Sequence, residues 1–115
     1  MKWYNVQDKN FYFSKNAKMN HQIINNTEEN RFETWLGETA AFVEYGQHDD
    51  ELITFYHTEV PKEFEGQGIG SILAKHVLDY AQTHHLKVRP LCPFIKAYIQ
   101  RHPEYEPLVY HKEGH

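Results

Sequence analysis

Apolar and polar positions change their period along the chain. Residues 52–60, Leu-Ile-Thr-Phe-Tyr-His-Thr-Glu-Val, are dense in β-branched and aromatic side chains, the composition of a strand. Beyond Pro61, Ile69, Ile72, Leu73, Val77, Tyr80 and Ala81 recur on one side of a 3.6-residue period, which predicts a helix over about 67–84. Upstream, residues 22–25 suit a short strand, 25–30 a turn and 31–36 a second strand. Gly37-Glu38 suits a two-residue hairpin turn, 39–45 its return strand and 46–50 a further turn. Downstream, 86–91 reads as a short strand parallel to 52–60, because a helix-length crossover joins them. Pro93 holds the favoured first position of a second helix reaching about Arg101. His102-Pro103 ends it, and 104–110 forms a last turn or short helix. The expected fold is α+β: an antiparallel meander, a glycine-rich turn, a helix, a parallel strand and a helix.

Residues 1–20 show no clean period but carry Trp3, Tyr4, Phe11, Tyr12 and Phe13. They read as a loosely ordered arm, or as an element docked through those aromatics. The main domain is expected over 21–110, with a polar tail at 111–115. At 115 residues, 40% apolar and 15% aromatic, the chain can bury one core. The net charge of −4 speaks against a general nucleic-acid coat. The single cysteine, Cys92, excludes an intrachain disulfide and suits a reducing compartment. No run approaches the ~18 apolar residues of a membrane span, and the N-terminus lacks the apolar stretch of a signal peptide. The expectation is a cytoplasmic protein, a monomer or weak dimer, with no nucleic-acid or membrane partner. The nine histidines show no structural-zinc spacing, so no metal site is expected.

The stretch Glu65-Gly66-Gln67-Gly68-Ile69-Gly70-Ser71 follows a strand and opens a helix. Glycines permit positive φ and a close backbone approach, and the free N–H groups of a first helical turn favour an anion. Alone the pattern is weak, because glycines also serve plain turns and close helix–sheet packing. A P-loop would need Lys then Ser or Thr after the last glycine. Here Ser71-Ile72 follows, with no lysine before Lys75. A dinucleotide fingerprint needs G-x-G-x-x-G in a parallel sheet, whereas these glycines alternate and hairpins precede them.

The stretch resembles the acetyl-CoA motif of the GNAT acetyltransferase superfamily, Arg/Gln-x-x-Gly-x-Gly/Ala after a strand. Other ordered blocks tighten the resemblance to a short single-domain GNAT subfamily: His57-Thr58-Glu59-Val60-Pro61, Pro90-Leu91-Cys92-Pro93-Phe94, Tyr98-Ile99 and Arg101-His102-Pro103-Glu104-Tyr105. It covers roughly residues 23–109. One departure is Glu65, where the motif has Arg or Gln. The resemblance implies a minimal GNAT-like αβ sandwich that binds acetyl-CoA and acetylates an unidentified amine. The diphosphate would lie on Glu65, Gly66, Gln67, Gly68, Ile69, Gly70 and Ser71. The pantetheine arm would pair with the backbone of Thr58, Glu59 and Val60, where strands 52–60 and 86–91 splay. Phe94, Lys96 and Tyr98 would form the opposite wall. From Tyr80 to Pro103 there is no acidic residue but Lys87, Arg89, Lys96 and Arg101 are present; this basic stretch would suit a polyanion or form a solvated face.

Three residues are weighed for catalysis. Cys92 precedes Pro93 at a predicted helix N-cap, where a thiol can be activated; it is a possible acetyl acceptor, or a small packing residue. By simple alternation His57 falls on the side of Ile53, Phe55 and Glu59, and could act as base toward an amine or toward Cys92, or be a satisfied strand histidine. Tyr98 could protonate the leaving thiolate, or pack on the sheet. Alternatives to an enzyme are a module that binds acetyl-CoA or CoA without turnover, and a partner-binding domain using the aromatic arm.

Overall fold

The computed structural model describes residues 22–112; the expected arm at 1–20 and the end of the tail lie outside the described residues. Five strands form one sheet in the order β1-β2-β3-β4-β5. These are β1 (Ile24–Asn26), β2 (Arg31–Leu36), β3 (Thr39–Gln47), β4 (Leu52–Glu59) and β5 (Lys87–Pro90). β1 to β4 pair antiparallel, and β5 runs parallel to β4. Helix α1 (Ile69–Thr83) is the crossover, and α2 (Pro93–Arg101) follows β5. Short 3-10 turns occupy Lys62–Phe64 and Pro103–Leu108. This is the expected α+β arrangement.

Local chemistry accounts for the joints. Leu36 pairs with Thr39, so Gly37-Glu38 is the two-residue turn, with Gly37 at φ 73. Gly46, expected in the next turn, instead lies within β3. A Cβ there would stand 3.0 Å from the Tyr56 ring, so this glycine makes room for a cross-strand aromatic. At the far end of α1, the amides of His85 and Leu86 close on the carbonyls of Gln82 and Ala81. His85 takes φ 58, a left-handed helix stop usually filled by glycine.

Phe32, Val43 and Phe55 of the sheet, Leu73, Val77 and Leu78 of α1, and Ile95 and Ile99 of α2 belong to one buried cluster. The sheet therefore packs its helices on one face. Alternation along β3 assigns the faces: Ala41, Val43 and Tyr45 are buried against the helices, and Phe42 and Glu44 point the other way.

That other face contains a polar knot. Glu33, 5% exposed, accepts hydrogen bonds from Arg31 Nε at 2.7 Å, Trp35 Nε1 at 3.1 Å and Asn26 Nδ2 at 3.3 Å. Burial pushes the Glu33 carboxyl up, but these donors together outweigh it and leave its pKa lowered. A lowered carboxylate contributes stability above its unfolded-state pKa, near 4.5, and that stability is lost as pH falls through the lower folded-state value. Glu33→Gln is expected to cost about 1–2 kcal/mol at neutral pH. The cost should shrink below about pH 4, as checked by urea midpoints for both proteins across pH.

Candidate functional site

The site is built where β4 loses a neighbour. The parallel pairing runs from Leu52↔Lys87 to Phe55↔Pro90, and there β5 ends. Leu91 turns away, and the Cys92 amide closes on the Phe55 carbonyl at 2.9 Å. Pro93 then begins α2 with Cys92 as its N-cap. Beyond Phe55, β4 keeps a partner strand, among the described residues, only on its β3 side. This is the splay that the resemblance implied.

The chain next crosses the mouth of the gap. Pro61 ends β4, and one 3-10 turn follows, with Phe64 and Glu65 donating to the carbonyls of Pro61 and Lys62. Gly66 and Gly68 take φ 84 and 81, values that cost an L side chain about 1–2 kcal/mol. Gly68 is the N-cap of α1 and offers no side-chain cap. The first closing bond is Ile72 N–H to Gly68 O at 3.0 Å, so the amides of Ile69, Gly70 and Ser71 have no partner within the helix. Among the described residues the amides of Gly66, Gln67 and Gly68 make no backbone bond either.

These amides border a cleft of about 360 Å³, lined by Thr58, Val60, Phe64, Glu65, Gly66, Gly68, Ile69, Gly70, Ser71 and Phe94. The last glycine has a separate task. A Cβ on Gly70 would lie 2.8 Å from Phe94 Cζ, so its missing side chain admits the α2 aromatic to the wall. Among the described residues Glu65 is the one charged residue in the lining, and its carboxylate opposes an anion.

Most expected cofactor residues meet at this cleft, but four do not line it: Glu59, Gln67, Lys96 and Tyr98. Lys96 is two residues from Phe94, about 200° around the helix. It lies with Ile99, Gln100 and Glu106 around a second groove of about 250 Å³. Tyr98 is buried and stacked on His102, with ring centroids 4.1 Å apart, and burial raises its pKa. The basic stretch does not converge on the cleft. Lys87 donates to the Pro107 carbonyl, Arg89 lies over the Tyr110 ring, and neither they nor Lys96 and Arg101 are in the lining. Phe64, which the sequence reading passed over, is part of the wall. Its signal was a lone apolar side chain in the charged run Lys62-Glu63-Phe64-Glu65.

The expected placement of His57 needs correcting. Glu44 pairs with His57, but the adjacent Tyr45 pairs with Phe55. Tyr56 is therefore an extra residue in β4, a bulge that reverses the alternation beyond it. Thr58, opposite Val43, joins the helix face, and its Oγ1 lies 3.1 Å from Cys92 Sγ. His57 and Glu59 face away, with His57 Nε2 2.8 Å from Glu59 Oε1 and its ring 6.4 Å from that of Phe42. His57 is thus on the opposite face from Ile53, Phe55 and Cys92. Cys92 is buried, 1% exposed, and does not line the cleft.

A family model described as GCN5-related N-acetyl-transferase matches residues 31–108. The chain belongs to this family. Among solved structures, a GCN5-like N-acetyltransferase candidate from Staphylococcus aureus superposes with a TM-score of 0.63 at 31% identity, covering 84% of this chain and 94% of that one. Protein NATD1 of Gallus gallus and of Mus musculus are each 36% identical over 52 residues, 45% of this chain and 47% of theirs. NATD1 of Homo sapiens matches at the same identity over 46% of its length. The chain thus spans about half the length of the curated relatives it matches. The GCN5-related assignment agrees with the splayed strands and with the glycine turn ahead of α1. Among the described residues no helix is long and apolar enough to cross a membrane.

The Gly70–Phe94 contact can be tested directly. Alanine favours a helix over glycine by about 1 kcal/mol, but in Gly70→Ala the new methyl must displace the Phe94 ring. We expect shifted Phe94 ring resonances and no net gain in stability. In a Phe94→Ala background the same substitution should stabilise by up to about 1 kcal/mol, as measured by urea denaturation.

Proposed function

We propose that the protein uses acetyl-CoA to acetylate a primary amine. The observation that carries this reading is the row of unengaged amides from Gly66 to Ser71 beside the open edge of β4. The residues present fit the cofactor. Neutral N–H groups at a helix N-terminus suit a diphosphate. The backbone of Thr58 and Val60, on the open edge, suits the amide-bearing pantetheine arm. Phe64 and Phe94 supply apolar wall. Acetyl-CoA supplies the acetyl group as a thioester, which the acceptor nitrogen attacks while CoA departs as its thiol.

The chain's own part is to hold, orient and move a proton. His57 takes the proton of the incoming amine from the face opposite the cleft. Cys92 is proposed at the thioester end, with its thiol against Thr58 Oγ1. Its burial favours direct transfer over an acetylated-cysteine relay.

Saturating acetyl-CoA is expected to raise the melting temperature by several degrees and to shift the amide signals of Gly66, Gly68 and Gly70. Unmoved glycine amides would remove the basis of the proposal. CoA release across a panel of amines separates an enzyme from a binding module, since binding without release for any acceptor supports the module. Mass spectrometry after incubation with acetyl-CoA decides the route: an adduct on Cys92, with turnover lost in Cys92→Ala, would establish the relay in place of direct transfer. Glu65 yields a further expectation. Removing one like charge about 4 Å from a phosphate, in near-aqueous surroundings, is worth roughly 1 kcal/mol. Glu65→Gln should therefore tighten acetyl-CoA about fivefold, measured by calorimetry.

A further inference from the structure

The Tyr56 bulge leaves a specific arrangement on the face away from the helices. Thr58 lines the cleft, while its two neighbours, His57 and Glu59, stand on the opposite side of the same open edge. Their side chains are 54% and 53% exposed and make a 2.8 Å contact between Nε2 and Oε1. An exposed pair of this kind adds little to stability. An ionised carboxylate, however, can only accept hydrogen bonds, so the neutral imidazole in this contact must carry its hydrogen on Nε2. That leaves Nδ1, without a hydrogen-bond partner among the described residues, as an acceptor. Glu44, opposite His57 on β3, is a second carboxylate on this side, and the buried Glu33 of β2, opposite Phe42, is a third. Phe42, opposite Glu59, presents its ring edge-on to His57 and lies beneath the Arg31 guanidinium, 4.3 Å from its centroid. Arg31 is itself engaged with Glu33. Among the described residues the charged groups around His57 are thus Glu59 on its own strand, Glu44 on β3 and, beyond the Phe42 ring, the Arg31–Glu33 pair.

We infer that Glu59, expected from the sequence to bind cofactor, is instead the positioning residue of a His57–Glu59 dyad that receives the acceptor amine from this face. The inference rests on the acetyl-transfer reading. The acceptor arrives as an ammonium ion, drawn by Glu44 and Glu59. It gives one proton to His57 Nδ1, and the freed lone pair forms the C–N bond as the C–S bond breaks. The electron pair of that bond goes to sulfur, which takes the second proton lost by the nitrogen. His57 then returns its proton to water, so one amide, one thiol and one solvent proton result. Glu59 holds the ring so that Nδ1 faces the acceptor, and its charge stabilises the imidazolium that forms.

Two readouts test this. In the cofactor-free protein, long-range nitrogen–proton spectra of His57 recorded at alkaline pH should show the Nε2–H tautomer. In Glu59→Gln, where the amide can either donate or accept, the two tautomers should mix. With an amine acceptor, Glu59→Gln should lower kcat about tenfold or more at an unchanged KM for acetyl-CoA. A His57 ring protonated on Nδ1 in the wild type, or a tautomer balance and kcat indifferent to Glu59→Gln, overturns the inference. Loss of the cofactor-induced glycine shifts with an intact Nε2–H signature would instead sink the acetyl-transfer reading and leave the dyad standing as a positioned pair.

Discussion

The parting of β4 and β5 is the constraint on which the rest of the molecule depends. A sheet that stayed paired would bury both edges of β4 and leave no backbone for a ligand. Here the parallel ladder stops at Pro90, and proline has no N–H to extend it. The Cys92 amide takes over as the last donor to Phe55, and Pro93 commits the chain to α2. Pro90, Cys92 and Pro93 together convert a strand into a helix within a few residues. The wedge that opens is bounded by the N-termini of both helices.

A second consequence follows from one extra residue. The bulge at Tyr56 puts Thr58 on the helix side and His57 and Glu59 on the other, so the open stretch of β4 has unlike faces. One faces a cleft of main-chain donors and aromatic rings; the other presents an imidazole with a carboxylate against it. Without the bulge, His57 would continue the buried row of Ile53 and Phe55. An unpaired polar ring there would cost more than it could return to the fold. Gly46 belongs to the same device, because only a residue without Cβ leaves room for the Tyr56 ring opposite.

Most of the architecture was legible in the sequence because it rests on period and punctuation. The β-branched run of β4, the apolar stripe of α1, Gly37-Glu38 and Pro93 each carry a local physical reason, and their elements lie within a few residues of expectation. The glycine turn was legible as a candidate site for a related reason, since glycine takes positive φ at little cost, as Gly66 and Gly68 do. Three features were not legible. Thr-Phe-Tyr-His-Thr reads as an uninterrupted strand, because a bulge is a property of two strands in register rather than of one. Lys96 was placed on the cleft wall with Phe94 through the family resemblance, although two residues along a helix point nearly opposite ways. The basic run from Lys87 to Arg101 looked like an anion patch, but β5 and α2 send its side chains to Pro107, to Tyr110 and to a separate groove.

That last dispersal bears on how an acidic protein could hold a polyanion. Salt bridges would give strong attraction at long range, but they must desolvate cations and are screened by salt. Main-chain amides at a helix mouth are already oriented, lose no side-chain entropy on binding, and carry only partial charge. A site built from Gly66 to Ser71 thus relies on geometry where a basic patch would rely on charge. Glu65 fits that economy, because one carboxylate at the rim weakens attraction without disturbing the donors behind it. Under the proposed function, release from such a site would compete with retention, which suits a cofactor that leaves after every transfer. The aromatic wall of Phe64 and Phe94 would then supply the hold that the electrostatics leave out, and Gly70 is what lets Phe94 reach that wall.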